Sequence, residues 1–141
     1  MIRKINVTHY KNKNASLEGF LEVPLTDVSN IVNFSVDLLY CAVINMIERN
    51  KITDFLHDLS KKVRHGGQLT LVINDIKNIC KLYINKQISD DQFFSIIEET
   101  KNNILDEQII KQLLDTNNFD ILGIERNKSL IALSFGRKNN G

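Results

Sequence analysis

The sequence predicts an α/β fold, a mostly parallel, Rossmann-like sheet of about six strands that closes with an antiparallel hairpin. Three observations carry this. Apolar strand-like runs alternate with segments of helical period. The strongest run, Leu69 to Ile73, leads directly into a capped helix. Two terminal runs, Phe119 to Glu125 and Ser129 to Phe135, are separated only by Arg126-Asn127-Lys128, short enough for a hairpin.

Ile2 to Val7 alternates apolar and polar residues and predicts a short strand. Lys11 to Ser16 is polar and reads as a loop. Gly19 to Leu25 predicts a second strand, stopped by Pro24, which cannot donate to a ladder. Thr26 to Ser35 is irregular. Val36 to Cys41 is largely apolar and predicts a strand covered on both faces. Ala42 to Arg49 is a short apolar helix or turn.

Lys51 to Val63 predicts a helix, because Ile52, Phe55, Leu56, Leu59 and Val63 fall on one helical face. Gly66 and Gly67 are expected to end it, with glycine taking the left-handed conformation and His65 as a cation at the helix C-terminus. After Leu69 to Ile73, Asn74 or Asp75 caps a helix carrying Ile76, Ile79, Cys80 and Tyr83. Ser89-Asp90-Asp91 caps the next one, which holds Phe93, Phe94, Ile96 and Ile97. A further helix is expected from Asp106 to Asp115.

The 141 residues fit one domain, expected over 1–137, with a frayed tail over 138–141. Apolar residues are 43% and charged residues 25%, the balance of a chain that folds without disulfides or metal. Eighteen basic and 17 acidic residues leave a net charge of +1, against a nucleic-acid partner. The cluster Lys61, Lys62 and Arg64 reads as a solvated face. No apolar run approaches the roughly 18 residues of a membrane span, and the N-terminus has no apolar signal region. Cys41 and Cys80 read as packed thiols in a reducing compartment, so the expected location is cytoplasmic. Asn, Ile and Lys make up about a third of the chain, far above average usage. That resembles the coding bias of an AT-rich genome, as in many phages and some bacteria. A phage-encoded virion or accessory protein is one expectation.

Val36-Asp37-Leu38-Leu39-Tyr40-Cys41, then His57-Asp58-Leu59-Ser60, then Gly66-Gly67-Gln68 through Asn74-Asp75 resemble the second half of a class I S-adenosylmethionine-dependent methyltransferase. Gln108 to Leu114, followed by Asn118-Phe119-Asp120-Ile121, is similar to that family's closing helix and the strand after it. Upstream, Ile5-Asn6-Val7-Thr8-His9-Tyr10 and Leu17-Glu18-Gly19-Phe20-Leu21-Glu22-Val23-Pro24 resemble a subgroup with a short first βα connection. The resemblance spans nearly the whole chain. It implies the family's sheet without its first helix or third strand. Asp37 is carried over as structural only.

The resemblance also implies a methyl-donor site, and there the residues depart from the family. A glycine-rich loop should follow the first strand, since the backbone must approach the cofactor closely. Here Thr8-His9-Tyr10-Lys11 follows, and the next glycine is Gly19. An acidic residue should end the second strand and hold the ribose hydroxyls. Here Pro24 stands there, with Glu22 two residues back, useful only if the register or strand end shifts. Each lost polar contact costs on the order of 1–3 kcal/mol.

The expectation is a degenerate, non-catalytic, methyltransferase-like module that meets a protein partner or itself, with no cofactor. The alternatives are an active small methyltransferase with an altered donor site, binding S-adenosylmethionine, and a metabolite-binding module. Should a donor site survive, Thr8, His9, Glu22, Cys41 and Asn74 line it. Asn74 and Asp75 are candidates by location, because ligands in parallel sheets sit beyond the C-terminal strand ends, and capping explains them equally. His9 and Tyr10 form either an acid–base pair or a plug in a vacated pocket. His57 has no second ligand at metal spacing, and no metal site is expected. Phe93, Phe94, Ile96 and Ile97 cannot all point inward on one narrow stripe. The helix is expected to be core, with a partner surface, such as a homodimer, as the alternative.

Overall fold

The apolar stripe of the Lys51 to Val63 segment forms the face it predicts. In the computed structural model, which describes residues 2–9, 17–114 and 117–139, Ile52, Leu56 and Leu59 are buried on helix α1 (Ile52–Lys62). Burying a leucine contributes about 1.5–3 kcal/mol, so this stripe fixes the helix against the sheet more firmly than propensity could. His57 lies on the exposed side.

The strands are β1 (Lys4–Thr8), β2 (Leu21–Pro24), β3 (Val36–Cys41), β4 (Val63–Asn74), β5 (Phe119–Asn127) and β6 (Leu130–Arg137). The other helices are α2 (Ile76–Ile84), α3 (Asp90–Glu99) and α4 (Glu107–Leu113), with a 3₁₀ turn over Leu25–Asn30. One six-stranded sheet results, in the order β2-β1-β3-β4-β6-β5. The pairings β1–β2, β1–β3 and β3–β4 are parallel. The pairings β4–β6 and β5–β6 are antiparallel. The fold is therefore the α/β sheet expected, closed by the expected hairpin.

Strand register decides what each face carries. Ile5, Val7, Leu39, Cys41, Leu69, Leu71, Ile131 and Leu133 are buried together with the apolar side of α1 and with Ile110 of α4. The opposite face holds a row of polar residues in register: Glu22 beside Asn6, Asn6 beside Tyr40, Tyr40 beside Thr70, Thr70 beside Ser134. Leu38 and Tyr40 on that face are only half-buried. β3 is thus sealed on one face only, not on both.

The junction between α1 and β4 differs from expectation. The helix stops at Lys62, and Val63 is already extended, with φ −75° and ψ 128°. Gly66 and Gly67 lie inside the strand, not at a helix end. β4 advances from Val63 to Gln68 while β3 advances only from Val36 to Leu38, so the extra residues bulge out. Gly66 takes φ +79°, and a Cβ on Gly67 would meet the Arg64 and Asp37 carbonyl oxygens at 3.0 Å. His65 is consequently no helix cation. It stacks on Phe34, with ring centroids 5.3 Å apart and planes 9° apart.

Two helix starts carry capping residues read from sequence, and the helix expected from Asp106 is capped by Asp106 itself. Asp75 accepts from Asn78 N–H, Ser89 and Gln92 form a reciprocal capping box, and Asp106 accepts from Ile109 N–H. Residue 115, expected to end α4, lies outside the described residues. The hairpin turn is Lys128-Ser129, one step later than expected, with Lys128 at φ +39°. The expectation that α3 is core is overturned: none of its ten residues is buried.

Candidate functional site

In a parallel sheet the chain reverses its direction of build-up beside the first strand, and the strand ends there form a crevice. Here that point lies between β1 and β3. Thr8 ends β1, Pro24 ends β2, Cys41 ends β3 and Asn74 ends β4. Val7 pairs with Cys41, and Cys41 with Leu71, so β4 projects beyond its neighbours before it ends at Asn74.

The site residues read from sequence divide between the two faces. Cys41 shares the sealed face with Val7 and Leu71 and is fully buried. Burial pushes its thiol up to about 12, so no thiolate is present at neutral pH. Thr8 and Glu22 belong to the polar face. Thr8 is 5% exposed. Among the described residues neither Thr8 Oγ1 nor Glu22 Oε1 meets a hydrogen-bond partner. His9 follows Thr8 and is half-buried. Tyr10, its expected companion, lies outside the described residues.

The register between β1 and β2 is unshifted at this end. Thr8 lies opposite Pro24, and Glu22 lies opposite Asn6, one full pleat back along the strand. A pleat of two residues is about 6.6–6.8 Å. The end of β2 therefore presents a side chain with no acceptor, and Glu22, the only carboxylate of β2, is withdrawn along the strand.

Asn74 meets a group of residues that sequence reasoning missed. Its backbone N–H donates to Asn45 Oδ1 at 3.0 Å. Asn45 Nδ2 donates to Asn103 Oδ1 at 3.2 Å, and both side chains are buried. Asn103 Nδ2 in turn donates to the Ile44 carbonyl at 3.1 Å and to that of Ile47. These side chains tie the loop after β3 to the segment before α4 at the C-terminal end of β4. The signal in the sequence is faint: one asparagine in an apolar loop and another in a polar run, 58 positions apart.

Asp75 caps α2, and its N–H donates to the Ser129 carbonyl at 2.8 Å. A cavity of about 580 Å³ opens beside it, lined by Asn74, Asp75, Ile104, Glu107, Arg126 and Ile131 among others. Arg126 pairs there with Glu107 and, at 3.7 Å, with Asp75. Both carboxylates are thus already engaged. Asp37, at the opposite end of the sheet, accepts the Arg3 backbone N–H at 2.7 Å and pairs with Arg64. The Arg3 N–H, then Arg64, hold its carboxyl below the usual range. No group of His, Cys, Asp and Glu among the described residues could hold a metal ion.

Comparison with known proteins places this geometry. A SAM-dependent methyltransferase from Anabaena variabilis aligns over 96% of this chain and 68% of its own, with 12% identity and a TM-score of 0.63. The fold is methyltransferase-like. An S-adenosylmethionine-dependent methyltransferase from Mesorhizobium loti matches with a TM-score of 0.59 and 11% identity, over 95% of this chain and 80% of that one. An O-methyltransferase family protein from Burkholderia thailandensis matches with a TM-score of 0.56 and 14% identity, over 86% of this chain. This chain spans only 36% of that protein's length. No family model matches the sequence, and no curated protein matches it. No helix among the described residues is long and apolar enough to cross a membrane.

Proposed function

We propose that this chain is a methyltransferase-like module that has given up methyl transfer and works through contacts with protein. The observation that carries this is the pairing of Thr8 with Pro24. The fold would place the donor's ribose at the end of β2, and Pro24 offers it no hydrogen bond. Glu22 could replace the missing acid only through a slipped register, and the register is regular from Ile5 to Thr8. The first strand is followed by His9, and the sequence has no glycine before Gly19, so the loop lacks the residue that would let the backbone approach the methionine part. The residues do not fit S-adenosylmethionine. Fold alone does not carry activity, so the likeness to methyltransferases does not outweigh these positions.

One observation favours a second reading. Thr8 Oγ1 and Glu22 Oε1 are buried polar atoms without partners, and each such atom costs about 1–3 kcal/mol. A small polar metabolite with a hydroxyl or amine, bound on this face, would satisfy both. Titration calorimetry and thermal shift separate the readings. The module reading expects no shift with S-adenosylmethionine or its demethylated product. A bound donor at 100 times its dissociation constant would stabilise the fold by about 2.7 kcal/mol and overturn that reading. A shift with small polyols or amines alone, lost in Glu22→Gln, would support the metabolite reading.

A further inference from the structure

Helices α2 and α3 form a hairpin that stands off the sheet. Tyr83 holds its halves together: its ring stacks on Phe93, with centroids 4.1 Å and planes 10° apart. The buried contact of α2 is Ile79. α3 is apolar enough for a core helix, yet Phe94 is 59% and Ile97 38% exposed, and Ile84 at the end of α2 is 76% exposed. Phe94 and Ile97 are three residues apart, so they lie on one side of the helix.

The charges of the hairpin are segregated by helix. The only charged residues of α2 are Lys77 and Lys81, one turn apart, with Lys86 just beyond. α3 carries only acids: Asp90 and Asp91 at its start, Glu98 and Glu99 at its end. Among the described residues Lys77, Lys81 and Lys86 make no ion pair, and the pair recorded for the α3 acids is Glu98 with Lys101, at the exposed end.

We propose that the α2–α3 hairpin docks on the same hairpin of a second copy of this chain, α2 of each copy lying against α3 of the other. A two-fold contact of this kind meets itself, so one surface must be its own complement. A hairpin with one basic and one acidic helix satisfies that condition, because rotation sets Lys77 and Lys81 against Glu98 and Glu99 twice over. The same contact covers Phe94, Ile97 and Ile84. An acidic or a basic partner of another kind would complement only one of the two helices. The footprint is a single two-helix hairpin, smaller than a standard interface of roughly 800 Å² per partner, so the dimer is a weak one. The proposal uses residues other than Thr8 and Pro24 and stands whether or not a ligand binds there.

Sedimentation velocity from about 10 µM to 1 mM tests it. The unmodified chain moves from monomer to dimer across that range, and added salt shifts the midpoint upward. Lys77→Glu with Lys81→Glu gives a chain whose two helices are both acidic. Glu98→Lys with Glu99→Lys gives one whose helices are both basic. Each is monomeric alone, and an equimolar mixture of the two dimerises again. All four positions are exposed, and matching circular dichroism melts confirm that both chains fold. An unmodified chain that stays monomeric at 1 mM, reversed chains that still self-associate, or a mixture that does not, each overturns the proposal.

Discussion

Asn45 Nδ2 lies 3.2 Å from Asn103 Oδ1, and both side chains are buried at the C-terminal end of β4. Through Asn45 Oδ1 and Asn103 Nδ2 the pair also holds the backbone of Asn74, Ile44 and Ile47. Removing either side chain strands buried polar groups on the other. Asn103→Ala should therefore destabilise the fold by about 2–3 kcal/mol, more than a typical hydrogen bond contributes, and Asn45→Ala by a similar amount. Urea unfolding of both, and of the double variant, checks this. The double variant should cost clearly less than the sum, because the two residues share one network.

Lys62 is a buried cation held by the Asn33 side chain at 3.0 Å, the Ser29 carbonyl at 3.4 Å and Asp58 at 3.4 Å. Asp58 itself is 41% exposed. Lys62→Met removes the buried charge and leaves an acid that water can reach. Asp58→Asn leaves the buried ammonium without a counter-charge. Asp58→Asn should be the more damaging, by about 1 kcal/mol or more, in paired denaturation curves. The reverse order would mean that the pair contributes only its packing.

Cys41 gives a pH signature. Its thiol is raised from an ordinary 9.0 to about 12 by burial, so the folded state keeps a proton that the unfolded chain releases. Below pH 9 both states are protonated and stability is unaffected. Between about pH 9 and 12 stability should fall by up to about 1.4 kcal/mol per pH unit from this group. Comparing the alkaline limbs of the unmodified chain and Cys41→Ala isolates that slope. Thiol labelling at pH 8 should modify half-buried Cys80 and spare Cys41 until the chain unfolds.

Asp37 behaves in the opposite sense. The Arg3 N–H and Arg64 favour its charged form, so its contribution is present above the unfolded value near 3.8 and is lost as pH falls through the lower folded value. Carboxyl titration by NMR should place Asp37 below 3.8. Arg64→Gln should raise it only part of the way, because the larger cause is the Arg3 backbone N–H.

The sheet and its helices were legible wherever a local rule sufficed. Ile52, Leu56 and Leu59 mark α1, and Ser89 with Gln92 marks the start of α3. The Gly66-Gly67 pair misled because a left-handed glycine serves a helix cap and a strand bulge equally, and only the pairing of β3 with β4 decides between them. Burial of α3 was illegible for another reason. Phe93, Phe94, Ile96 and Ile97 state that a surface wants covering, and not whether this chain or another covers it. At the site, the missing glycines and Pro24 could be read directly. The polar row from Glu22 to Ser134 could not, since it appears only when five strands are set in register.

Pro24 at the end of β2 offers the ribose of a methyl donor no hydrogen bond. Isothermal titration of the full chain with S-adenosylmethionine, carried to about 1 mM ligand, tests it most directly. The pairing of Thr8 with Pro24 predicts no saturable heat. A saturating isotherm in the micromolar range would contradict the account and return the chain to methyl transfer.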